Sequence, residues 1–256
     1  MDPATLSAAE RRRLAPLAAA VARARGPGPP RLELVAGAIA PGRRHGLLAG
    51  TFNPFTRAHA ALAVAGHRAG CERVVLAMAP ASLDKEAVER AHPVDRLDWA
   101  RGWAARHRWA AVAVSSHPLL VDMAEALRAA GAGEAVLLVG TDKAAQLVEP
   151  RYYADPEAAV ARLSAAATVL VAERAGVPDG VARLPGQPLA TPASVAALSA
   201  SEARALAADG GDLRALLPAS VARAVERTRA YDRDPAPYLA RARELDLLGH
   251  PQAGRP

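Results

Sequence analysis

The chain has 256 residues, 51% of them apolar, so it can bury a sizeable core without disulfide support. Its single cysteine, Cys71, excludes an internal disulfide framework and favours a reducing cytoplasm as its location. The net charge of +6 comes from arginines that are scattered along the chain, which argues against nucleic acid as a partner. No leader-like segment and no run of about 18 uncharged apolar residues is present, so the sequence predicts a protein without a membrane segment.

The first 42 residues differ in pattern from the rest. Residues 4–25 predict an amphipathic, arginine-rich helix, which the Gly/Pro stretch 26–30 must end. Residues 31–38 predict a short strand. We therefore divide the chain into an N-terminal helical appendage (1–42), a main domain (43–232) and a C-terminal tail (233–256), which is either a helix closing over the domain or a disordered end.

The main domain alternates short apolar segments with helical ones. Strands are predicted at His45–Ala49, Arg73–Ala79, Trp109–Ser115, Ala135–Val139 and Thr168–Ala172. Helices are predicted between them over about 57–69, 93–107, 120–130 and 155–165. This alternation predicts an α/β fold with a doubly wound, Rossmann-like parallel sheet, helices on both faces and a C-terminal helical subdomain. Ligands of such folds bind at the carboxyl ends of the strands.

The end of the first of these strands carries an unusual group of residues, Gly50 to His59. Gly50 would let a ligand approach the backbone, and Asn53-Pro54 forces a turn. Thr56 is a good helix N-cap, which places His59 in the first helical turn beside backbone N–H groups that can bind an anion. The alternative is an ordinary strand–turn–helix in which His59 only caps the helix or faces solvent.

Two later segments have similar features. Gly140 ends the fourth predicted strand, and Asp142 follows at a helix start, where it either caps the helix or accepts from a nucleotide. Ser199 and Ser201 also stand at a helix start, with Arg204 one turn further on the same face as Ser201. A guanidinium at that position can bind phosphate oxygens in a bidentate manner, although a capped helix with a solvated arginine has the same pattern.

Together the three segments resemble the motifs of the nucleotidyltransferase (adenylyltransferase) superfamily. The Gly50–His59 segment is similar to G-x-F-[ND]-P-x-[HT]-x-x-H, with Ala58 where glycine is common. Gly140-Thr141-Asp142 resembles G-[AT]-D, and Ser199 to Arg204 resembles S-S-T-x-I-R with Ala200 and Ala203 as departures. The segments occur in the family's order, about 90 and about 60 residues apart, and the likeness covers roughly residues 45–232. It is greatest to nicotinamide and nicotinate mononucleotide adenylyltransferases.

The resemblance implies transfer of AMP from ATP to the mononucleotide with release of pyrophosphate, ATP being a substrate and Mg²⁺ carried by its phosphates. His59, Arg204 and Lys85 would be catalytic. The residues that would bind the nucleotide are Gly50, Thr51, Phe52, Asn53, Thr56, His59, Gly140, Asp142, Ser199, Ser201 and Arg204. No protein-held metal is expected, because the histidines and the cysteine lack metal-ligand spacing.

The acceptor is less well defined by the sequence. Lys85, Arg96, Tyr152 and Tyr153 are the candidate acceptor-binding residues, whereas the three tryptophans fit a core helix better. After the third strand the chain lacks the tryptophan with an acidic neighbour that nicotinamide-binding members would have. Another phosphate acceptor such as phosphopantetheine, CTP as donor, or an inactive nucleotide-binding homologue therefore remain alternatives. The partners are expected to be small-molecule nucleotides, with a homo-oligomer left open.

Overall fold

The computed structural model describes residues 5–80, 91–147, 149, 152–172 and 186–249. The strands are β1 (Leu32–Ala36), β2 (Arg44–Ala49), β3 (Arg73–Met78), β4 (Ala110–Ser115), β5 (Glu134–Gly140), β6 (Ala167–Ala172) and β7 (Gly186–Pro188). The helices are α1 (Ala8–Ala24), α2 (Arg57–Arg68), α3 (Pro93–Ala104), α4 (Leu120–Ala129), α5 (Thr141–Gln146), α6 (Pro156–Ala166), α7 (Ala200–Ala208), α8 (Ala219–Thr228) and α9 (Ala236–Gly249). All five strands and four helices predicted for the main domain are present, with ends that differ by a few residues.

The strands form one sheet in the order β1-β4-β3-β2-β5-β6-β7. Every neighbouring pair from β4 to β7 is parallel, and only β1 pairs antiparallel, with β4. Leu47 of β2 stands in register with Val75 of β3 on one side and Leu137 of β5 on the other. The strand order reverses between β2 and β5, so the predicted doubly wound sheet is confirmed.

Alternate residues of each strand point to opposite faces, and each face has its own apolar core. Leu48 belongs to the core beneath α1, α2, α3, α8 and α9, whereas Leu47 and Ala49 belong to the core beneath α4, α5 and α6. A strand buried on both sides cannot show polar alternation, which explains why these segments are continuously apolar in sequence.

The N-terminal segment, described above as an appendage, shares the sheet and core of the main domain. Leu14 and Leu17 of α1 are fully buried in the same core as Leu48, and β1 extends the sheet beside β4. The tail forms α9, which packs against α1. Composition did not predict this, because an amphipathic arginine-rich helix is equally compatible with a free surface.

A buried ionic network fastens α9 to the domain. Asp95 of α3 is completely buried and accepts hydrogen bonds from Nε and Nη2 of Arg241, at 3.1 and 2.8 Å, and from the Tyr238 hydroxyl at 2.8 Å. Nη1 of Arg241 bonds Glu10 of α1 at 3.1 Å. Because both carboxylates share one guanidinium, three helices distant in sequence are held in one arrangement. None of the helices in the described part of the chain has the length and apolarity needed to cross a membrane.

Candidate active site

The candidate site lies where the strand order reverses. The loop after β2, residues 50–56, and the start of α5 after β5 leave adjacent parallel strands at the same edge of the sheet. This is the position at which doubly wound sheets bind ligands. The first two sequence motifs therefore lie side by side, as the sequence predicted.

The loop after β2 is built around a buried aromatic ring. Phe52 has a positive φ of 47° and only 1% of it is exposed. A Cβ on Gly50 would lie 2.7 Å from this ring, so glycine is required here by the packing of Phe52. The sequence-based explanation, that Gly50 leaves room for a ligand, is therefore wrong for the side of Gly50 that a Cβ would occupy.

His59 stands at the third position of α2, as predicted, and Thr56 is the N-cap. The backbone N–H of Thr56 donates to Nδ1 of His59 at 2.9 Å, while the His59 N–H donates to the Thr56 hydroxyl at 3.4 Å. Since Nδ1 accepts, the proton of the neutral ring belongs on Nε2. Phe52 and Phe55 flank the imidazole, with ring centroids at 5.4 and 5.6 Å. Helix capping and aromatic packing thus hold the imidazole as an Nε2–H donor.

Asn53 is the most constrained residue of the loop. Its side chain is 3% exposed, and Oδ1 accepts a hydrogen bond from the Tyr231 hydroxyl at 2.7 Å and from the Ala91 N–H at 3.3 Å. The peptide bond from Asn53 to Pro54 is cis. Burial raises the pKa of Tyr231 well above its ordinary range, so its hydroxyl remains a donor at any physiological pH. The asparagine side chain therefore fixes the loop and does not project towards solvent.

Two arginines bind backbone carbonyls of this loop. Nη1 of Arg204 donates to the Asn53 carbonyl and Nη1 of Arg96 to the Thr51 carbonyl, each at 2.9 Å. Arg204 also donates from Nη2 to the Ser201 hydroxyl at 3.0 Å, which confirms that the two side chains share a helical face. Within the described residues, no carboxylate forms an ion pair with Arg204. Its positive charge is therefore held in place but not neutralised, as in an anion-binding site.

The hydroxyl of Thr141 is a feature that the sequence analysis missed. Thr141 follows Gly140 at the carboxyl end of β5 and is 6% exposed, yet its Oγ1 has no hydrogen-bond partner in the described chain. Buried hydroxyls are normally paired, so this atom is a candidate for contact with a ligand. No sequence signal distinguishes such a threonine from a helix-capping one, since only the geometry reveals the missing partner.

The other predicted site residues have varied positions. Ser199 caps α7, its hydroxyl accepting from the Glu202 N–H at 3.0 Å. Lys85 and the side chain of Asp142 lie outside the described residues. Arg96 was predicted to bind the acceptor; it is 5% exposed, and the hydrogen bond to Thr51 makes it a support of the loop.

The two candidate acceptor tyrosines pack against the core on the α4 and α6 side of the sheet. Tyr153 is 9% exposed, and Tyr152 is partly buried against the same residues. Burial raises the pKa of Tyr153, with the Asp122 carboxylate adding to the effect. Stacking of Tyr153 on an acceptor would require its ring to leave the core, and a role for Tyr152 stays a prediction.

Comparison with solved structures places this architecture. The chain is similar to *Plasmodium falciparum* nicotinic acid mononucleotide adenylyltransferase complexed with APC, with a TM-score of 0.56 and 11% identity over 74% of this chain and 97% of that one. The same enzyme complexed with NaAD gives a TM-score of 0.58, also at 11% identity, with the same shares of both chains covered. The chain has the adenylyltransferase fold. No protein-family model matches the sequence, and no curated protein matches it either.

Proposed function

We propose that this protein is a nucleotidyltransferase that transfers AMP from ATP to nicotinate or nicotinamide mononucleotide. The observation that carries the proposal is the hydrogen bond from Arg204 to the Asn53 carbonyl, which joins the third motif to the first. An imidazole donor and a guanidinium without a carboxylate partner then belong to one loop at the ligand-binding edge of the sheet. Two solved structures with this fold are mononucleotide adenylyltransferases, which supports the same class of chemistry.

The reaction needs no nucleophile from the protein. A phosphate oxygen of the acceptor attacks the α-phosphorus of ATP in line, a new P–O bond forms, and the bond to the bridging oxygen breaks as pyrophosphate leaves. Catalysis of such a transfer is mainly positioning and stabilisation of charge. Nε2–H of His59 would donate to the transferring phosphoryl group, and the remaining N–H groups of Arg204 would bind the leaving pyrophosphate.

The start of α2 adds a further contribution. The first N–H groups of a helix carry partial positive charge, and the α2 start is bounded by Thr56 and His59 rather than by an acidic residue. A triphosphate in front of it would be held without a protein nucleophile. Mg²⁺ would travel with the triphosphate, whose oxygens supply its ligands.

The proposal is tested by incubating the protein with ATP or CTP and a panel of acceptors, and measuring pyrophosphate release. Nicotinate mononucleotide, nicotinamide mononucleotide and phosphopantetheine form the panel. Release with ATP and a pyridine mononucleotide supports the full proposal, and release with another acceptor or donor supports nucleotidyl transfer alone. ATP binding without any release would identify an inactive nucleotide-binding homologue.

A further inference from the structure

A second candidate binding site lies under the C-terminal helix. A cavity of about 760 Å³ is lined by the start of α3, by α7 and by α9. Small-molecule sites occupy about 300–1,000 Å³, so a ligand the size of a mononucleotide fits. Arg204 is common to this cavity and to the candidate active site, whereas Arg25 and Leu239 line the cavity alone. None of the three sequence motifs explains why these last two residues are there.

The charges around the cavity are unbalanced. Arg25, Arg96 and Arg204 line it, and neither Arg25 nor Arg204 forms an ion pair with any residue that the structure describes. Arg96 is 5% exposed, and a buried guanidinium at a cavity wall favours a negative ligand.

The other charged lining residues already have partners. Asp232 pairs with Arg229 at 2.5 Å, and Arg233 pairs with Asp209 at 2.5 Å. His92 is also in the lining, and burial lowers its pKa, so it does not add a positive charge at neutral pH. The positive charge therefore comes from the three arginines.

The remaining wall of the cavity is apolar. Ala205 and Ala208 of α7 face Leu239 and Ala242 of α9 across it. Leu239 is 51% exposed, although it is a large apolar side chain. A ligand with an apolar or aromatic body would cover Leu239 and gain from its burial.

We propose that this cavity is a second anion-binding site for a phosphate monoester carried on an aromatic body, with Arg25 as its own phosphate contact. The site goes beyond transfer of AMP, because Arg25 and α9 have no part in that reaction. It gives the protein a place for a small phosphorylated effector next to the arginine that binds the pyrophosphate.

The proposal is tested by calorimetric titration of the full chain with three probes: AMP, adenosine and inorganic phosphate. AMP carries both recognised features and each of the others carries one, so AMP is expected to bind most tightly. Arg25→Gln removes one charged hydrogen-bonding partner and should weaken AMP binding about tenfold. Ala208→Phe fills the cavity without changing any charge and should weaken it at least as much.

Two variants serve as controls. Arg12→Gln changes an exposed arginine on the same helix, α1, and should leave AMP binding unchanged. His59→Ala should also leave it unchanged, because His59 does not line the cavity. Thermal unfolding of each variant verifies that the fold is retained.

Loss of binding in Arg25→Gln but not in Arg12→Gln supports the second site. Unchanged AMP affinity in both Arg25→Gln and Ala208→Phe overturns it, as does binding that depends on His59 alone, since AMP would then occupy only the candidate active site. Failure of the proposed function has a separate signature, namely no pyrophosphate release from any acceptor while the Arg25-dependent binding persists.

Discussion

Nη1 of Arg204 donates a 2.9 Å hydrogen bond to the backbone carbonyl of Asn53, a residue 151 positions earlier in the chain. The bond joins the start of α7 to the loop between β2 and α2. It therefore fixes both the position of the guanidinium and the path of the loop that leads to His59. Arg96 does the same at the Thr51 carbonyl, so two cations stabilise one loop.

Arg204→Lys tests the need for a guanidinium. A lysine keeps the charge but cannot donate in fixed directions to Asn53, Ser201 and a phosphate at once. We expect kcat/KM to fall about 100-fold, since removing one preorganised charge-stabilising donor typically has an effect of this order. Steady-state pyrophosphate release measures it. Arg223→Lys on the exposed side of α8 is the matched control and should retain full activity.

Thr141→Val separates stability from binding. The variant removes a buried hydroxyl that has no partner in the described chain, so the free energy of unfolding should stay the same or rise by about 1 kcal/mol. If the hydroxyl contacts the nucleotide, KM for ATP should increase about tenfold at the same time. Urea unfolding and steady-state kinetics measure the two effects. An unchanged KM would remove Thr141 from the site, and Thr168→Val on β6 controls for the substitution itself.

The buried pair of Asp95 and Arg241 should be much more important than a surface pair. Arg241→Met leaves a completely buried carboxylate without its main partner, and we expect a loss of about 3–5 kcal/mol in the free energy of unfolding. Arg162→Met breaks a half-exposed pair with Asp122 and should cost less than about 1 kcal/mol. Chemical denaturation of the two variants compares them directly. Equal losses would show that the network does not fasten α9.

His92 predicts a loss of stability in mild acid. The ring caps α3 through Nδ1, and its Nε2 lies 3.1 Å from Asp246 of α9. Burial lowers its pKa, the neighbouring Arg25 also lowers it, and the carboxylates of Asp246 and Asp95 oppose them. Since the folded pKa lies below the ordinary value of 6.5, the stabilisation is complete above pH 6.5 and is lost as the pH falls through it.

The test is the free energy of unfolding at about pH 7.5 and about pH 5.5, a range that brackets the ordinary histidine pKa. His92→Asn keeps a side chain that can cap the helix but does not titrate, so its decrease should be smaller than that of the wild type. His117→Asn is the control and should decrease as much as the wild type. An equal decrease in all three proteins would exclude His92 as the cause.

Local signals predicted most of the fold. Continuous apolar segments marked β2 to β6, and the capping residues Thr56 and Ser199 marked the starts of α2 and α7. The roles of α1, β1 and α9 were not predictable, because they depend on contacts between segments far apart in sequence, such as Arg241 with Asp95.

The candidate site was predicted in part. The motifs brought His59 and Arg204 together because their strand ends converge in this topology. They did not indicate that Arg96 would bind a loop carbonyl, that Tyr153 would be buried, or that the Thr141 hydroxyl would lack a partner. These properties are set by side-chain packing, and a one-dimensional pattern does not contain it.

The most direct test is the turnover of a His59 variant in the pyrophosphate-release assay. His59→Gln removes the imidazole and retains the type of side chain that completes a capping box, whereas His59→Ala removes both. We predict that both variants lower kcat by about 10²- to 10⁴-fold, with a loss of stability in His59→Ala alone. His67→Ala, on the same helix but stacked on Trp109 away from the loop, should keep its turnover. Turnover close to the wild-type value in both His59 variants would contradict the proposed role of this imidazole in nucleotidyl transfer.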